Sequence, residues 1–337
     1  MTRICVFGAG RVGCYVGGRL AAAGADVVLI GREGVRAEVA EHGLHLSDYR
    51  GYDETITPEF VTDPQAAAEA GLILVTVKSG ATAEAGQQLA NVLRPGAVVV
   101  SLQNGLSNGE VLGEALLHTS VLRGMVPFNV VRRGPGWYHQ GSAGGLEIAE
   151  SDELAEHLPA FEMAGLPVVQ RDDMEGVLAA KLLLNCNNAL NALSDLPLKT
   201  ELSQRDFRRC LALAQHEAMD VMEHAGIRPT RLTLLPPGLM ARALSMPDAL
   251  FSRVAASTLA IDPHARSSMW DDLSEGRPTE VDYINGEIVA LAERVDRPAP
   301  VNTRLVELIR AAEAGPRRAW TGAELLANLT EAANAGS

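Results

Sequence analysis

Within its first thirteen residues the chain reads Ile4-Cys5-Val6-Phe7-Gly8-Ala9-Gly10-Arg11-Val12-Gly13. A β-rich apolar run enters a GxGxxG turn, and the turn opens a stretch of helical composition over 11–23. Strand, glycine turn and helix in that order are the start of a parallel-sheet unit that binds dinucleotides. Gly8 suits the tight turn, Gly10 the approach of a pyrophosphate to the backbone, and Gly13 close packing of helix on strand. The unpaired N–H groups at the helix start then face an anion. Gly8, Ala9, Gly10, Arg11, Val12 and Gly13 are therefore expected to contact the cofactor. A glycine turn with no ligand is the bland alternative, and the flanking strand and helix disfavour it.

The same alternation continues. Residues 27–30, 72–77 and 97–102 are β-rich runs bounded by Gly, Asp or Pro, and 81–93 is a helical stretch stopped by Pro95-Gly96. Strands alternating with helices imply a parallel sheet covered on both faces. Further strands are expected at 126–131, 144–148 and 168–170, with a helix over 153–164 between the last two. After Arg171-Asp172-Asp173 the strand signal ends. Long helices are expected at 174–193, 205–225 and 280–294, with Pro229, Pro236-Pro237, Pro263 and Pro298 in connections. The fold class expected is an α/β Rossmann-type N-terminal domain, residues 1–172, followed by an all-α domain, residues 173–337. The Ala-rich tail from about Ala327 is expected to fray.

Composition narrows the function classes. A chain of 337 residues suits two domains, and 47% hydrophobic with 21% charged residues is a globular balance. A net charge of −13 disfavours nucleic acid and anionic membrane surfaces as partners. No apolar run reaches the ~18–20 residues that span a bilayer, and the start of the chain is too briefly apolar for a signal peptide. Cys5, Cys14, Cys186 and Cys210 lack CxxC spacing, so neither a zinc site nor a redox pair is indicated. His216, Glu217 and His224 do not match HExxH, and no metal is expected. These features read as a cytoplasmic protein with reduced thiols. Of 29 basic residues 26 are arginine, leaving Lys78, Lys181 and Lys199. Arginine does not readily release a proton, so three retained lysines draw attention. Lys199, in a loop-like stretch, reads as a surface charge.

The expected end of the second strand carries Gly31-Arg32 where an NAD site usually has an acid, with Arg36 one turn later. A guanidinium there suits the 2′-phosphate of NADPH, although Glu33 lies beside it. Lys78 and Asn104 follow two successive strands, at the carboxyl ends where open parallel sheets bind ligands. In Lys181-Leu182-Leu183-Leu184-Asn185, the lysine and asparagine share one helix face, and the leucines are expected to cover the other side. A lysine in such surroundings is partly desolvated, which lowers its pKa toward general-acid use; a snorkelling lysine is the alternative. The stretch Thr279-Glu280-Val281-Asp282 reads equally as a helix cap with acidic first-turn residues and as a segment that turns Glu280 toward ligand.

Together GAGRVG at 8–13, VTVK at 75–78, QNG at 103–105, KLLLN at 181–185, and SSM with TEVDYING over 267–286 resemble the ketopantoate reductase (2-dehydropantoate 2-reductase) family. The resemblance runs from Gly8 to about Asn302. It implies NADP(H) bound in a cleft and reduction of a small 2-keto acid, ketopantoate, to a 2-hydroxy acid. Lys181 then resembles the family's proton donor, and Glu280 an acid near the nicotinamide end that touches the cofactor. Asn104 resembles a residue meeting cofactor and substrate, Asn185 and Ser268 look like substrate contacts, and Arg32 and Lys78 stand on the adenosine 2′-phosphate side. A homodimer is compatible with this. Two departures stand out: Ala189 where a second Asn is common, and Ala179 where Trp is usual. They leave the chemistry intact and the preferred keto acid open. An acid bulkier and less polar than ketopantoate is the expectation, since Asn187 and Asn188 do not simply substitute and Asn188 restores the contact only where the helix is locally overwound or bulged. A β-hydroxyacid dehydrogenase-like enzyme also pairs Lys with an Asn four residues on, but TEVDYING speaks against it. A silent NADP-binding regulator is opposed by Lys181, Asn104 and Glu280.

Overall fold

A computed structural model describes residues 2–233, 235–254 and 264–335. Pro263 and residues 336–337 lie outside these. The chain divides into two compact units, Met1–Met174 and Glu175–Ser337.

The first unit holds strands β1 (Arg3–Phe7), β2 (Val27–Ile30), β3 (Leu44–Asp48), β4 (Asp53–Ile56), β5 (Glu59–Val61), β6 (Ala70–Val75), β7 (Val98–Ser101), β8 (Ser120–Met125), β9 (Val130–Gly134), β10 (Trp137–Gln140), β11 (Leu146–Ala149) and β12 (Val168–Arg171). Its helices are α1 (Arg11–Ala22), α2 (Glu33–His42), α3 (Thr82–Ala90), α4 (Asn108–Ala115) and α5 (Leu158–Met163). Eight strands form one sheet in the order β12-β11-β8-β7-β6-β1-β2-β5. All neighbours are parallel except β8 and β11.

Period-two alternation explains the double cover. Ile4, Val6, Leu29, Leu72, Leu74, Val98 and Val100 face one core, while Cys5, Phe7, Val28, Ile30, Ile73, Val75 and Val99 face the other. The parallel α/β sheet read from the sequence is the one observed.

A second sheet, β4-β3-β10-β9, is not among the expected elements. Its strands carry polar side chains that are buried because they satisfy one another. Ser47 is 2.9 Å from His139 Nδ1, Trp137 Nε1 donates to Ser47 at 2.8 Å, and Tyr15 donates to Gln140 at 2.9 Å. Gly18 of α1 lets this sheet come close, since a Cβ there would stand 2.7 Å from Leu44 Cδ2. The strand expected at 126–131 instead spans the break between β8 and β9, and the helix at 153–164 is a 3-10 turn (Asp152–Leu154) followed by the short α5.

The second unit is helical: α6 (Met174–Asn185), α7 (Asn187–Ser194), α8 (Leu198–Ser203), α9 (Arg205–His224), α10 (Pro237–Leu244), α11 (Asp248–Val254), α12 (Ser268–Ser274), α13 (Asn285–Arg294), α14 (Pro300–Ala314) and α15 (Gly322–Ala335). The single helix expected over 174–193 is two, interrupted at Cys186. Lys199 lies exposed on the short α8 rather than in a loop. The tail expected to fray is α15, held by buried Leu325, Leu326 and Leu329. Among the described residues, no helix is long and apolar enough to cross a membrane.

Candidate active site

In the first unit, register fixes the ligand-facing edge. Phe7 pairs with Ile30 and with Val75, and Val75 pairs with Ser101. The chain segments after β1, β2, β6 and β7 therefore leave the sheet level with one another. They carry Gly8, Arg32, Lys78 and Asn104.

The glycine turn can be tested as a cofactor cradle. A Cβ on Gly8, at φ +105, would lie 2.5 Å from the Val77 backbone nitrogen, and one on Gly13 would lie 2.5 Å from Thr76 Oγ1. Both positions are closed to larger residues by packing. Gly10 differs, since a Cβ there would meet nothing nearer than the Gly8 carbonyl at 3.9 Å. It caps α1 in extended conformation with no side-chain hydrogen bond, and no acid stands in the first turn. The turn thus presents a bare helix start, without a side chain or negative charge in the way, as a pyrophosphate requires.

Arg32 is the N-cap of α2 and is exposed. Arg36 is not at its service: Glu33 holds the Arg36 guanidinium at 2.8 and 2.5 Å. Among the described residues no carboxylate pairs with Arg32. Gly31 is small for a reason of packing, because a Cβ there would stand 2.8 Å from the Phe60 ring and 3.0 Å from Ala9. A side chain at Gly31 would have to displace the Phe60 ring.

Lys78 lies three residues beyond β6 and Asn104 three beyond β7, both half-buried in loops rather than at the strand ends themselves. Side chains stitch the two loops together. Ser79 donates to the Asn104 carbonyl at 3.1 Å, Asn108 bonds Ser79 at 3.0 Å and the same carbonyl, and Gln103 donates to the Val77 carbonyl at 3.1 Å and to Thr82 at 2.7 Å. The sequence reading gave no role to Ser79 and Asn108 and quoted Gln103 only within QNG; these side chains tie together the loops that carry Lys78 and Asn104.

In the second unit, Lys181 is half-buried on α6 and Asn185, four residues on, is 9% exposed. Burial lowers the Lys181 ammonium below its ordinary value. Val177, Leu182 and Leu183 anchor the helix in the core, whereas Leu184 is 40% exposed and does not cover the far side as expected. The Gly176 carbonyl accepts the Thr230 N–H at 2.9 Å, and Gln215 Nε2 donates to the Leu183 carbonyl at 2.9 Å, close to the interruption at Cys186.

The start of α12 is tied to α7. Asn191 Oδ1 accepts the Ser267 N–H at 2.8 Å, and Ser267 Oγ donates to the Asn188 carbonyl at 3.1 Å while accepting from Trp270 N–H at 3.1 Å. Ser267 is thus the buried cap, and Ser268 beside it is exposed. Behind Asn191 lies Glu201, fully buried, accepting its amide at 2.6 Å. Burial pushes the Glu201 carboxyl up to about 8.

Glu280 is half-buried at the start of a single 3-10 turn, Val281–Tyr283. The capping role belongs to Thr279, whose Oγ1 accepts the Val281 N–H at 3.2 Å. Among the described residues no carboxylate is within ion-pair distance of Lys181, Glu280 included.

A Rossmann-type dinucleotide unit followed by a helical unit is the architecture of one class of nicotinamide-dependent oxidoreductase. The family model "Ketopantoate reductase PanE/ApbA" matches residues 4–153, and "Ketopantoate reductase PanE/ApbA C terminal" matches 173–313. The chain belongs to the ketopantoate reductase family. It is 31% identical to a 2-dehydropantoate 2-reductase of Halobacterium salinarum, over 92% of this chain and 99% of that one. A solved PanE/ApbA family ketopantoate reductase from Ralstonia eutropha superposes with a TM-score of 0.80 at 32% identity, covering 93% and 98%. A D-mandelate dehydrogenase, 20% identical with a TM-score of 0.78 over 93% and 98%, shares the fold. The protein is an oxidoreductase acting on CH–OH groups, works with a nicotinamide cofactor, and reduces a keto acid to a hydroxy acid.

Proposed function

We propose that the protein reduces 2-dehydropantoate to pantoate with NADPH, with Lys181 as the proton donor. The observation that carries this is Lys181 itself: half-buried, lowered by burial, and on one helix face with Asn185. The glycine turn from Gly8 to Gly13 holds the pyrophosphate, with Ala9, Arg11 and Val12 contributing backbone. Arg32 and Lys78 take the 2′-phosphate side, and Asn104 and Glu280 the nicotinamide end. When bound, NADPH supplies the hydride that reaches the keto carbon. As that carbon is reduced, its oxygen gains negative charge, and the Lys181 ammonium gives it a proton, so C=O becomes CH–OH. Lysine is then neutral and recovers its proton from water. Asn104 holds the carbonyl, and Asn185 and Ser268 donate to the substrate carboxylate. The test is loss of NADPH absorbance with ketopantoate and a panel of other 2-keto acids. Ketopantoate should lead the panel. Tight NADPH binding with no turnover of any keto acid would instead describe a silent regulator.

A further inference from the structure

Helices α6 and α7 carry four asparagines within seven residues, and the structure commits them differently. Asn191, fully buried, bonds the Leu196 carbonyl, Glu201 and the Ser267 N–H. Asn187, 7% exposed, shares the buried Glu201. Asn185 is 9% exposed. Asn188 is half-buried, and only its backbone carbonyl is engaged, by Ser267. Among the described residues its side-chain amide has no protein partner.

Its place gives that amide a use. Cys186 interrupts the helix but keeps right-handed dihedrals, φ −52 and ψ −27, so the chain goes on winding. At about 100° per residue, seven residues fall about 20° short of two turns, which puts Asn188 on the Lys181 line. Leu184, exposed, lies between them along the helix, about 60° round from Lys181 and about 40° from Asn188, while Ala189 is turned wholly into the core with 0% exposure. The accessible stripe beside the lysine therefore reads ammonium, apolar branch, amide. About 10 Å of helix separates its ends, a span that the lysine stem and a four-carbon acid share. The asparagine missing at position 189 would have been directed elsewhere.

We infer that Leu184 and Asn188 form the subsite that reads the substrate's side chain, Leu184 packing on its carbons and the Asn188 amide bonding a terminal hydroxyl. This rests on the proposed keto acid reduction, and it reverses the expectation from Ala189 that a less polar acid is preferred. The experiment compares kcat/KM for ketopantoate and for 3,3-dimethyl-2-oxobutanoate, which lacks only the hydroxyl, in wild type, Asn188→Ala and Leu184→Ser. Wild type should favour the hydroxylated acid. Asn188→Ala should narrow that preference by roughly 10-fold or more, because the amide–hydroxyl bond is lost on one substrate only. Leu184→Ser should weaken both acids together. A wild type that reduces neither acid overturns the proposed reaction and this subsite with it. A wild type that prefers ketopantoate, with the preference intact in Asn188→Ala, overturns the subsite alone.

Discussion

In the sheet-bearing unit, the proposed cofactor positions follow from backbone register: Phe7, Ile30, Val75 and Ser101 stand level, and the segments after them carry Gly8, Arg32, Lys78 and Asn104. In the helical unit the corresponding positions depend on distant side chains. Gln215 steadies the Leu183 carbonyl beside the helix interruption, and Asn191 with Glu201 fixes where α12 starts. A backbone frame tolerates the loss of a side chain at its rim, so a change there should weaken one contact. A frame built of buried polar side chains transmits a change, and its titration reaches the fold.

The largest separation between the two units is expected from Lys181→Ala. It should lower kcat by roughly 10²–10⁴-fold, the range for a general acid, while NADPH titration by fluorescence stays near wild type. Wild-type Lys181 must be charged to donate, so kcat should fall as pH rises through its lowered pKa, at a pH below the ordinary 10.5 of a lysine. A kcat in the alanine variant close to wild type would remove the lysine from the chemistry.

A smaller effect, in stability, is expected from Glu201→Gln. The carboxyl titrates near 8 when folded and near the ordinary glutamate value of 4.5 when exposed. Between those values the folded chain holds a proton that the unfolded chain has lost, so stability declines as pH rises from about 4.5 to about 8. The fully protonated state below that window carries no penalty. Glutamine keeps an oxygen to accept the Asn191 amide and has no charge to bury. The variant should match wild type near pH 4.5 and exceed it by roughly 2–4 kcal/mol near pH 8–9, since each tenfold gain in proton affinity on folding is worth about 1.4 kcal/mol. Thermal melts across pH would show it, and parallel curves for the two proteins would mean Glu201 is ionised in the fold.

What was legible in the sequence divides along the same line. Gly8–Gly13 declared its strand and helix because glycine spacing and apolar alternation are local signals. The β3–β10 sheet hid itself, since Ser47, His139 and Gln140 are buried with partners about 90 to 125 residues away. Lys181 and Asn185 were readable from helical spacing. The interruption at Cys186 was not, because no Gly or Pro marks it and Gln215 comes from another helix. Ser267 had a readable signal, a serine preceding an apolar and acidic first turn, but only the structure separates the buried cap from the exposed Ser268.

The smallest effect tests how far the backbone frame alone binds cofactor. The residue after the second strand is Gly31, where a side chain would press on the Phe60 ring and Ala9, and no acid stands there to grip a ribose hydroxyl. Arg36 is held by Glu33, so on the proposed NADPH reading Arg32 is the guanidinium assigned to the 2′-phosphate. Arg32→Ala should therefore weaken NADPH binding by about 1.5–3 kcal/mol, the scale of a hydrogen bond to a charged group. NADH has no phosphate there and should bind both proteins nearly alike, since the glycine turn is untouched. With saturating NADPH, kcat should be close to wild type, because Lys181 lies in the other unit. Equal wild-type affinity for the two cofactors would defeat the assignment of Arg32. An equal loss for both cofactors would mean instead that Arg32 supports the turn, and that the rim is less independent of its side chains than the register implies.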